Sequence, residues 1–276
     1  MKQPDNKTEK VVKYYGDYDE QARLSSNLGE IEFVRTQNII SRYLKSPPAK
    51  VLDIGGAAGR YSRWLAKEGY EVHLLDPVPK HIEQAKEASD AQSEMPIASC
   101  SVGDARQLEF DDEIAEAVLL LGPLYHLIEA QDRIRSLTEA YRVLKPGGYL
   151  YAAGISRFAS TIDGLVSGYY LDPVFQEIMQ RDLETGQHRN PTNNPVYFMD
   201  TFFHHPDELK AEVSDAGFEI MGLFAVEGII YMMKDFEKNW KTEGNRKFLL
   251  DVIGKIEREP SLIGASPHVI CVGAKL

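Results

Sequence analysis

The residues of this 276-residue chain whose spacing best suits chemistry form the run Asp53-Ile54-Gly55-Gly56-Ala57-Ala58-Gly59. Glycine lacks Cβ and tolerates positive φ, so backbone here can approach a ligand closely, and a following helix offers unpaired N–H groups. A generic strand-to-helix glycine turn would read the same way in isolation. Three further groups follow in order: Asp76-Pro77, seventeen residues after Gly59, then Asp104-Ala105, then Leu121-Gly122-Pro123-Leu124-Tyr125-His126. An acid at 76 can accept both hydroxyls of a ribose, as NAD and other nucleosides require. Asp104 also suits the cap of a short turn. Phosphate ligands fit poorly. A dinucleotide fingerprint from Gly55 needs glycine at 57 and 60, where Ala57 and Arg60 stand, and a phosphate loop needs Gly-Lys-Ser/Thr where the chain has Arg60-Tyr61-Ser62.

Strand ends and helix starts must hold these groups. Apolar runs predict strands at Ala49–Ile54, Glu71–Leu75, Ile97–Val102, Ala115–Leu121, Tyr149–Gly154, Phe218–Val226 and His268–Ala274. Between them, helices are expected over Arg60–Lys67, Lys80–Ser89, Asp132–Leu144, Pro206–Ala216 and Phe236–Glu257, with Lys145-Pro146-Gly147-Gly148 as a breaker. Such alternation predicts an α/β fold, a doubly wound, mostly parallel seven-stranded sheet. Residues 9–46 read as helical, with Phe33, Ile40, Tyr43 and Leu44 at helical spacing. The alternation lapses over 156–205, so the expected plan is a helical N-terminal cap or lid (1–46), a core (47–155 and 206–276) and a substrate-cap insertion after the fifth strand.

Taken together, the groups between 51 and 154 resemble the motifs of class I S-adenosylmethionine-dependent methyltransferases. Asp53, Gly55 and Gly59 match an acidic residue followed by Gly-x-Gly-x-Gly, and Ala57 replaces the central glycine. The resemblance implies S-adenosylmethionine as cofactor and S-adenosylhomocysteine as product. It implies that Asp53 and the backbone of Gly55, Gly56, Ala57 and Gly59 hold the methionine amine and carboxylate, which agrees with simple electrostatics. It further implies Asp76 and Pro77 at the ribose, Asp104 and Ala105 at the adenine, and Leu121 and Gly122 beside the sulfonium. Tyr14-Tyr15-Gly16-Asp17-Tyr18 with Arg23 resembles the lid of small-molecule methyltransferases, which implies Tyr15 and Arg23 over the methionine end.

Methyl transfer is an in-line displacement at carbon with a neutral thioether leaving, so alignment and exclusion of water are the protein's main task. A base is needed only when the acceptor's proton leaves early. Tyr125 and His126 are the catalytic candidates, His126 through a pKa near neutrality; a structural role at a helix start is the alternative. In the insertion, Tyr169, Tyr170, Phe203 and His204 are candidates for the acceptor pocket. Its aromatics also suit a core of its own, and His204-His205 also suits capping of the next helix. The insertion holds three basic and six acidic residues, which favours a small, partly apolar acceptor. No metal is expected, because no carboxylate set at ligand spacing accompanies the histidines.

A net charge of −11 argues against nucleic acid as partner. No apolar run approaches the roughly 20 residues that cross a bilayer. Two cysteines, Cys100 and Cys271, read as buried thiols in a reducing compartment, so a cytoplasmic monomer or homodimer without membrane contact is expected. The expected activity is O- or N-methylation of a small molecule. A non-catalytic cofactor-binding or partner-binding protein, or an NAD-dependent oxidoreductase, is the alternative.

Overall fold

The computed structural model describes residues 6–17, 27–92, 94–192 and 194–276. Arg23 lies outside the described residues. Among the described residues, helices α1 (Asn6–Asp17) and α2 (Asn27–Ser41) precede the core. The chain then alternates β1 (Lys50–Ile54), α3 (Arg60–Lys67), β2 (Glu71–Asp76), α4 (Pro79–Asp90), β3 (Ser99–Val102), β4 (Ala115–Leu120), α5 (Pro123–His126), α6 (Ala130–Val143) and β5 (Leu144–Ser156). Next come α7 (Ala159–Ser167), α8 (Pro173–Thr185), β6 (Gln187–His188), β7 (Thr201–His204), α9 (Pro206–Asp215) and β8 (Glu219–Ala225). The last elements are α10 (Phe236–Trp240), α11 (Glu243–Ile256), α12 (Pro260–Ile263) and β9 (His268–Ala274).

The sheet runs β3-β2-β1-β4-β5-β9-β8, parallel except for β9, which is antiparallel to both β5 and β8. Order reverses between β1 and β4, so the carboxyl ends of those two strands open a crevice. Alternation along the strands sends side chains to opposite faces. Leu52, Ile54, Val118 and Leu120 pack with Leu137 and Ala140 of α6 and Leu209 and Val213 of α9. Val51, Ala117, Leu119 and Tyr151 pack on the other face with Leu65 of α3, Ile82 of α4 and Ile39 and Ile40 of α2. Helices therefore cover both faces, which leaves the strand ends as the accessible edge.

Four expectations need correction. Residues 156–205 contain strands: β7 pairs parallel with β5 through Ile155–Phe203 and Ser156–His204, and β6 pairs antiparallel with β7. Because β9 occupies one edge of β5, β7 extends the edge used by β4, beyond the point where β4 stops. The helix expected over Phe236–Glu257 is two helices, since Thr242 is extended (φ −86°, ψ 119°) at the start of α11. That break lets Trp240 turn inward beside Phe236, Ile31 and Ile253. Lys145-Pro146-Gly147-Gly148 ends helix α6 as expected but lies within β5, as a bulge between the pairs Ala115–Leu144 and Ala117–Tyr149. Finally, α2 ends at Ser41, so Tyr43 and Leu44 reach the core from the turn beyond it. Among the described residues no helix is long and apolar enough to cross a membrane.

Candidate active site

At the β1/β4 crevice lies a cavity with about 1200 Å³ of empty space, part of it open to solvent. Its floor is the turn after β1. Gly55 has φ +75°, and a Cβ there would meet Pro123 Cγ at 2.7 Å. A Cβ on Gly56 would meet the Asp53 carboxylate at 2.6 Å, so backbone alone fits over that acid. Ala57 adopts φ +47°, a left-handed conformation unusual for a residue with Cβ. Its N–H is turned to Asp76 Oδ2 at 2.9 Å. Gly59, at the N-cap of α3, lies outside the cavity wall.

Two carboxylates sit deep in this floor. Asp53 is 1% exposed and accepts a hydrogen bond from Ser62 Oγ at 2.6 Å. Burial, with the nearby charge of Asp76, pushes its carboxyl up to about 6. Asp76, at the end of β2, is held from three sides. Besides Ala57, Val78 N–H donates to Oδ1 at 2.9 Å and His81 Nδ1 shares a 3.0 Å bond with the same oxygen. Four lone-pair sites on a carboxylate leave it able to accept from a ligand hydroxyl as well. Beyond β3, Arg106 clamps Asp104 through Nε and Nη2, at 3.0 and 2.6 Å, and reaches Asp132 Oδ2 at 3.4 Å. Asp104, Ala105, Arg106 and Asp132 all line this end.

The other end is roofed by α1, whose Val11 and Tyr15 line the cavity. Tyr15 Oη and His126 Nε2 share a hydrogen bond of 3.0 Å, and the Tyr15 ring stands edge-on to both His81 and His126. Tyr125 and His126 come from α5, directly after Leu121 and Gly122, and all four line the cavity. Burial lowers the His126 imidazole to about 3, so it is neutral throughout the physiological range. Its Nδ1 is buried with no partner among the described residues. A pKa near neutrality, expected from the sequence, does not survive this desolvation.

The structure therefore brings Tyr15, Asp53, Gly55, Gly56, Ala57, Asp76, Pro77, Asp104, Ala105, Leu121, Gly122, Tyr125 and His126 to one cavity. It adds Glu32, Arg60, His81, Arg106 and Asp132, which sequence reasoning passed over. Arg60 and His81 had a signal, since each falls in the first turn of a helix that follows a ligand-facing strand end. Glu32 had none, because α2 crosses the cavity only through tertiary packing.

Tyr169, Tyr170, Phe203 and His204 are not in the cavity wall. Tyr169 packs on Phe175 and Tyr197 in the insertion's own core, and Tyr170 is 41% exposed. Phe203 stacks on His188 at 4.6 Å. His204 is fully buried, with Nε2 3.3 Å from Glu212 Oε2, while His205 caps α9 in a capping box with Glu208. His188 is also structural, held between Asp182 Oδ2 and the Tyr197 carbonyl, each at 2.7 Å.

At the edge of this cavity, Glu32, which lines it, meets Glu227 and His268, and their side-chain oxygens and a ring nitrogen lie within 4.8 Å of one another. They come from α2, from the turn after β8 and from the first residue of β9, so no local spacing announces them.

Residues 52–152 match the family model for a methyltransferase domain. Over 178 residues the chain is 32% identical to the ubiquinone/menaquinone biosynthesis C-methyltransferase UbiE of Neisseria meningitidis serogroup B. That match covers 62% of this chain and 66% of the relative, just under two thirds of its length. A protein of Pyrococcus horikoshii OT3 superposes with a TM-score of 0.63 at 17% identity, covering 96% of this chain and 99% of that one. An S-adenosylmethionine-dependent methyltransferase of Methanosarcina mazei gives 0.58 at 20% identity, covering 86% and 97%. At such identities the two structures speak for the fold.

Proposed function

Because the chain belongs to the class I S-adenosylmethionine-dependent methyltransferases, we propose that it methylates a small-molecule acceptor, with Asp53, Asp76 and Asp104 holding the cofactor. The observation that carries this reading is the charge of the cavity wall. Among the described residues, five carboxylates (Glu32, Asp53, Asp76, Asp104 and Asp132) face two guanidiniums (Arg60 and Arg106). A sulfonium with an ammonium group gains from such a wall, whereas the pyrophosphate of NAD would be repelled by it. The NAD-dependent oxidoreductase reading loses support on this ground.

The cofactor supplies an electrophilic methyl group on sulfur, and the chain's own residues do the rest. Asp53 and the Gly55–Ala57 backbone take the methionine end. Asp76, pinned by Val78 and His81, accepts from the ribose hydroxyls. Asp104 and Ala105 take the adenine. Tyr15 and His126 close the space over the reacting end and keep water out. Transfer then proceeds mainly by positioning, to an oxygen or nitrogen nucleophile or, as the name of the Neisseria relative suggests, to carbon.

The test is a thermal shift with S-adenosylhomocysteine against NAD. A ligand at 100 times its Kd adds about 2.7 kcal/mol, which is about 5–10 °C in Tm for a chain of this size. NAD should give nothing. Asp76→Ala removes charge-assisted bonds worth about 1.5–3 kcal/mol each, so S-adenosylhomocysteine affinity should fall by at least about tenfold. Unchanged affinity in that variant would refute the site. Binding of S-adenosylhomocysteine without methyl incorporation into any metabolite would instead favour a non-catalytic binder.

A further inference from the structure

We propose that His81 is a cofactor-binding residue, whose Nε2 accepts one of the two ribose hydroxyls while Asp76 accepts the other. This deepens the function proposed above and rests on it. It moves one hydroxyl from Asp76 to His81 and makes the site selective for a nucleoside with an intact vicinal diol.

The first argument is a count of acceptor sites. A carboxylate offers about four lone pairs, two on each oxygen. Asp76 Oδ1 already accepts from Val78 N–H at 2.9 Å and from His81 Nδ1 at 3.0 Å. Its Oδ2 accepts from Ala57 N–H at 2.9 Å. One site on Oδ2 is left, whereas a ribose brings two hydroxyl donors. The donors already on Asp76 are fixed in place. Those of Val78 and Ala57 are backbone groups, and Ala57 holds its N–H there in a left-handed conformation with φ +47°. A polar group buried without a partner costs more than a hydrogen bond gains, so the diol needs a second acceptor. Besides Asp76 and His81, the end of β2 and the start of α4 give the cavity wall only Leu75, Pro77 and Val78, whose side chains are apolar.

The second argument is the state of the His81 ring. Val78 is the N-cap of α4 and Pro79 its first residue, and in that turn His81 N–H donates to the Val78 carbonyl at 3.0 Å. The turn brings His81 onto the end of β2, where its side chain is 5% exposed. Because a carboxylate only accepts, Nδ1 carries the hydrogen of the bond to Asp76. In the neutral ring the lone pair then belongs to Nε2. Among the described residues nothing donates to that nitrogen. Nε2 is nevertheless not one of the fully buried polar atoms that lack a partner, and His81 lines the cavity. The small surface that the ring keeps therefore includes its open acceptor. Bracing Asp76 uses one ring nitrogen only. The other waits in a ligand cavity for a donor, and buried polar groups are nearly always paired once a site is complete. The two open acceptors sit on hydrogen-bonded side chains, close enough for hydroxyls on neighbouring carbons to reach one each.

Isothermal titration calorimetry on the full chain tests this with three ligands: S-adenosylhomocysteine and its 2′-deoxy and 3′-deoxy forms. The His81→Asn variant keeps an amide N–H near the Nδ1 position for Asp76 but has no atom at the Nε2 position. Wild type is expected to bind each deoxy ligand about 3–10-fold more weakly than S-adenosylhomocysteine, the value of one hydrogen bond. In His81→Asn that penalty should vanish, to within about twofold, for at least one deoxy ligand. S-adenosylhomocysteine itself should bind the variant about 3–10-fold more weakly than it binds wild type. A residue that only braces Asp76 would instead weaken all three ligands alike. Retention of the full penalty for both deoxy ligands, or unchanged S-adenosylhomocysteine affinity, therefore overturns the proposal. A crystal structure of the wild-type complex gives an answer that no variant's folding can blur. A ribose hydroxyl about 2.7–3.2 Å from His81 Nε2 supports the assignment, and a gap beyond about 3.5 Å overturns it. Failure of wild type to bind S-adenosylhomocysteine overturns the reading beneath it instead.

Discussion

Replacing Asp53 with asparagine is expected to stabilise the protein at neutral pH while impairing its cofactor site. Asp53 is almost fully buried, and its carboxyl is raised from an ordinary 3.8 to about 6. A gap of about two units corresponds to about 3 kcal/mol, at 1.36 kcal/mol per unit. The folded protein holds a proton that the unfolded chain has already released, so stability from this group is present below about pH 4 and is lost as pH rises to about 6. Between pH 4.5 and 7.5 the change is about 2 kcal/mol. Asparagine keeps the shape and can still bond Ser62, but it carries no charge to bury. Urea melts of both proteins at those two pH values give the answer. The variant's advantage should be about 2 kcal/mol larger at pH 7.5 than at 4.5. In wild type, S-adenosylhomocysteine affinity should weaken by about tenfold per pH unit below 6, because its ammonium needs the ionised acid. A pH-independent difference between the two proteins, or an affinity flat from pH 5 to 7.5, would refute the assignment of Asp53 as a strained, ligand-facing carboxylate.

Three other outcomes follow from the geometry. Gly55→Ala forces a Cβ into a φ of +75° and against Pro123 at 2.7 Å. Left-handed backbone costs about 1–2 kcal/mol and overpacking about 1–3 kcal/mol, so chemical denaturation should show a loss of about 2–5 kcal/mol, together with loss of cofactor binding. Tyr15→Phe removes the bond to His126 Nε2 and leaves a buried nitrogen without its partner; at about 0.5–1.5 kcal/mol per hydrogen bond, calorimetry should find S-adenosylhomocysteine bound about 3–10-fold more weakly. His188→Ala strands the fully buried Asp182, and breaking a buried pair costs about 3–5 kcal/mol. Limited proteolysis should then cut within residues 157–200 first, and uniform resistance there would contradict the role given to that pair.

The part of the cavity proposed for the cofactor was legible because its residues are local in sequence. Asp53 to Gly59 is one turn, Asp76 ends β2, and Asp104 follows β3 by two residues, each strand announced by an apolar run. Elsewhere local pattern fails for identifiable reasons. β7 is four residues long and aromatic, so Phe202 and Phe203 read as a cap's core until Ile155 and Ser156 supply a hydrogen-bonded edge. The break at Thr242 has no proline to mark it, and Gly244 falls inside α11; Trp240 is buried on the near side of the break. Glu32 lies some two hundred residues from Glu227 and His268 along the chain and meets them only because β8 and β9 return to the crevice under α2. His126 was found correctly as a cavity residue, but its charge state is set by desolvation, which sequence does not display.

The pairing of β7 with the end of β5 has a consequence for how this protein can change. The insertion leaves the sheet after Ser156 and rejoins it at Thr201–His204, strands that are hydrogen-bonded neighbours. Its two ends are thus stapled together, and a closed excursion of this kind can lengthen or shorten at little entropic cost. Nothing in the span between them supplies Asp53, Asp76 or Asp104. Exchange of residues 157–200 for another length or composition would therefore alter what packs behind α1, where Phe198 meets Tyr14, while Asp53, Asp76 and Asp104 stay in register. The architecture is in that sense a socket with a replaceable brace.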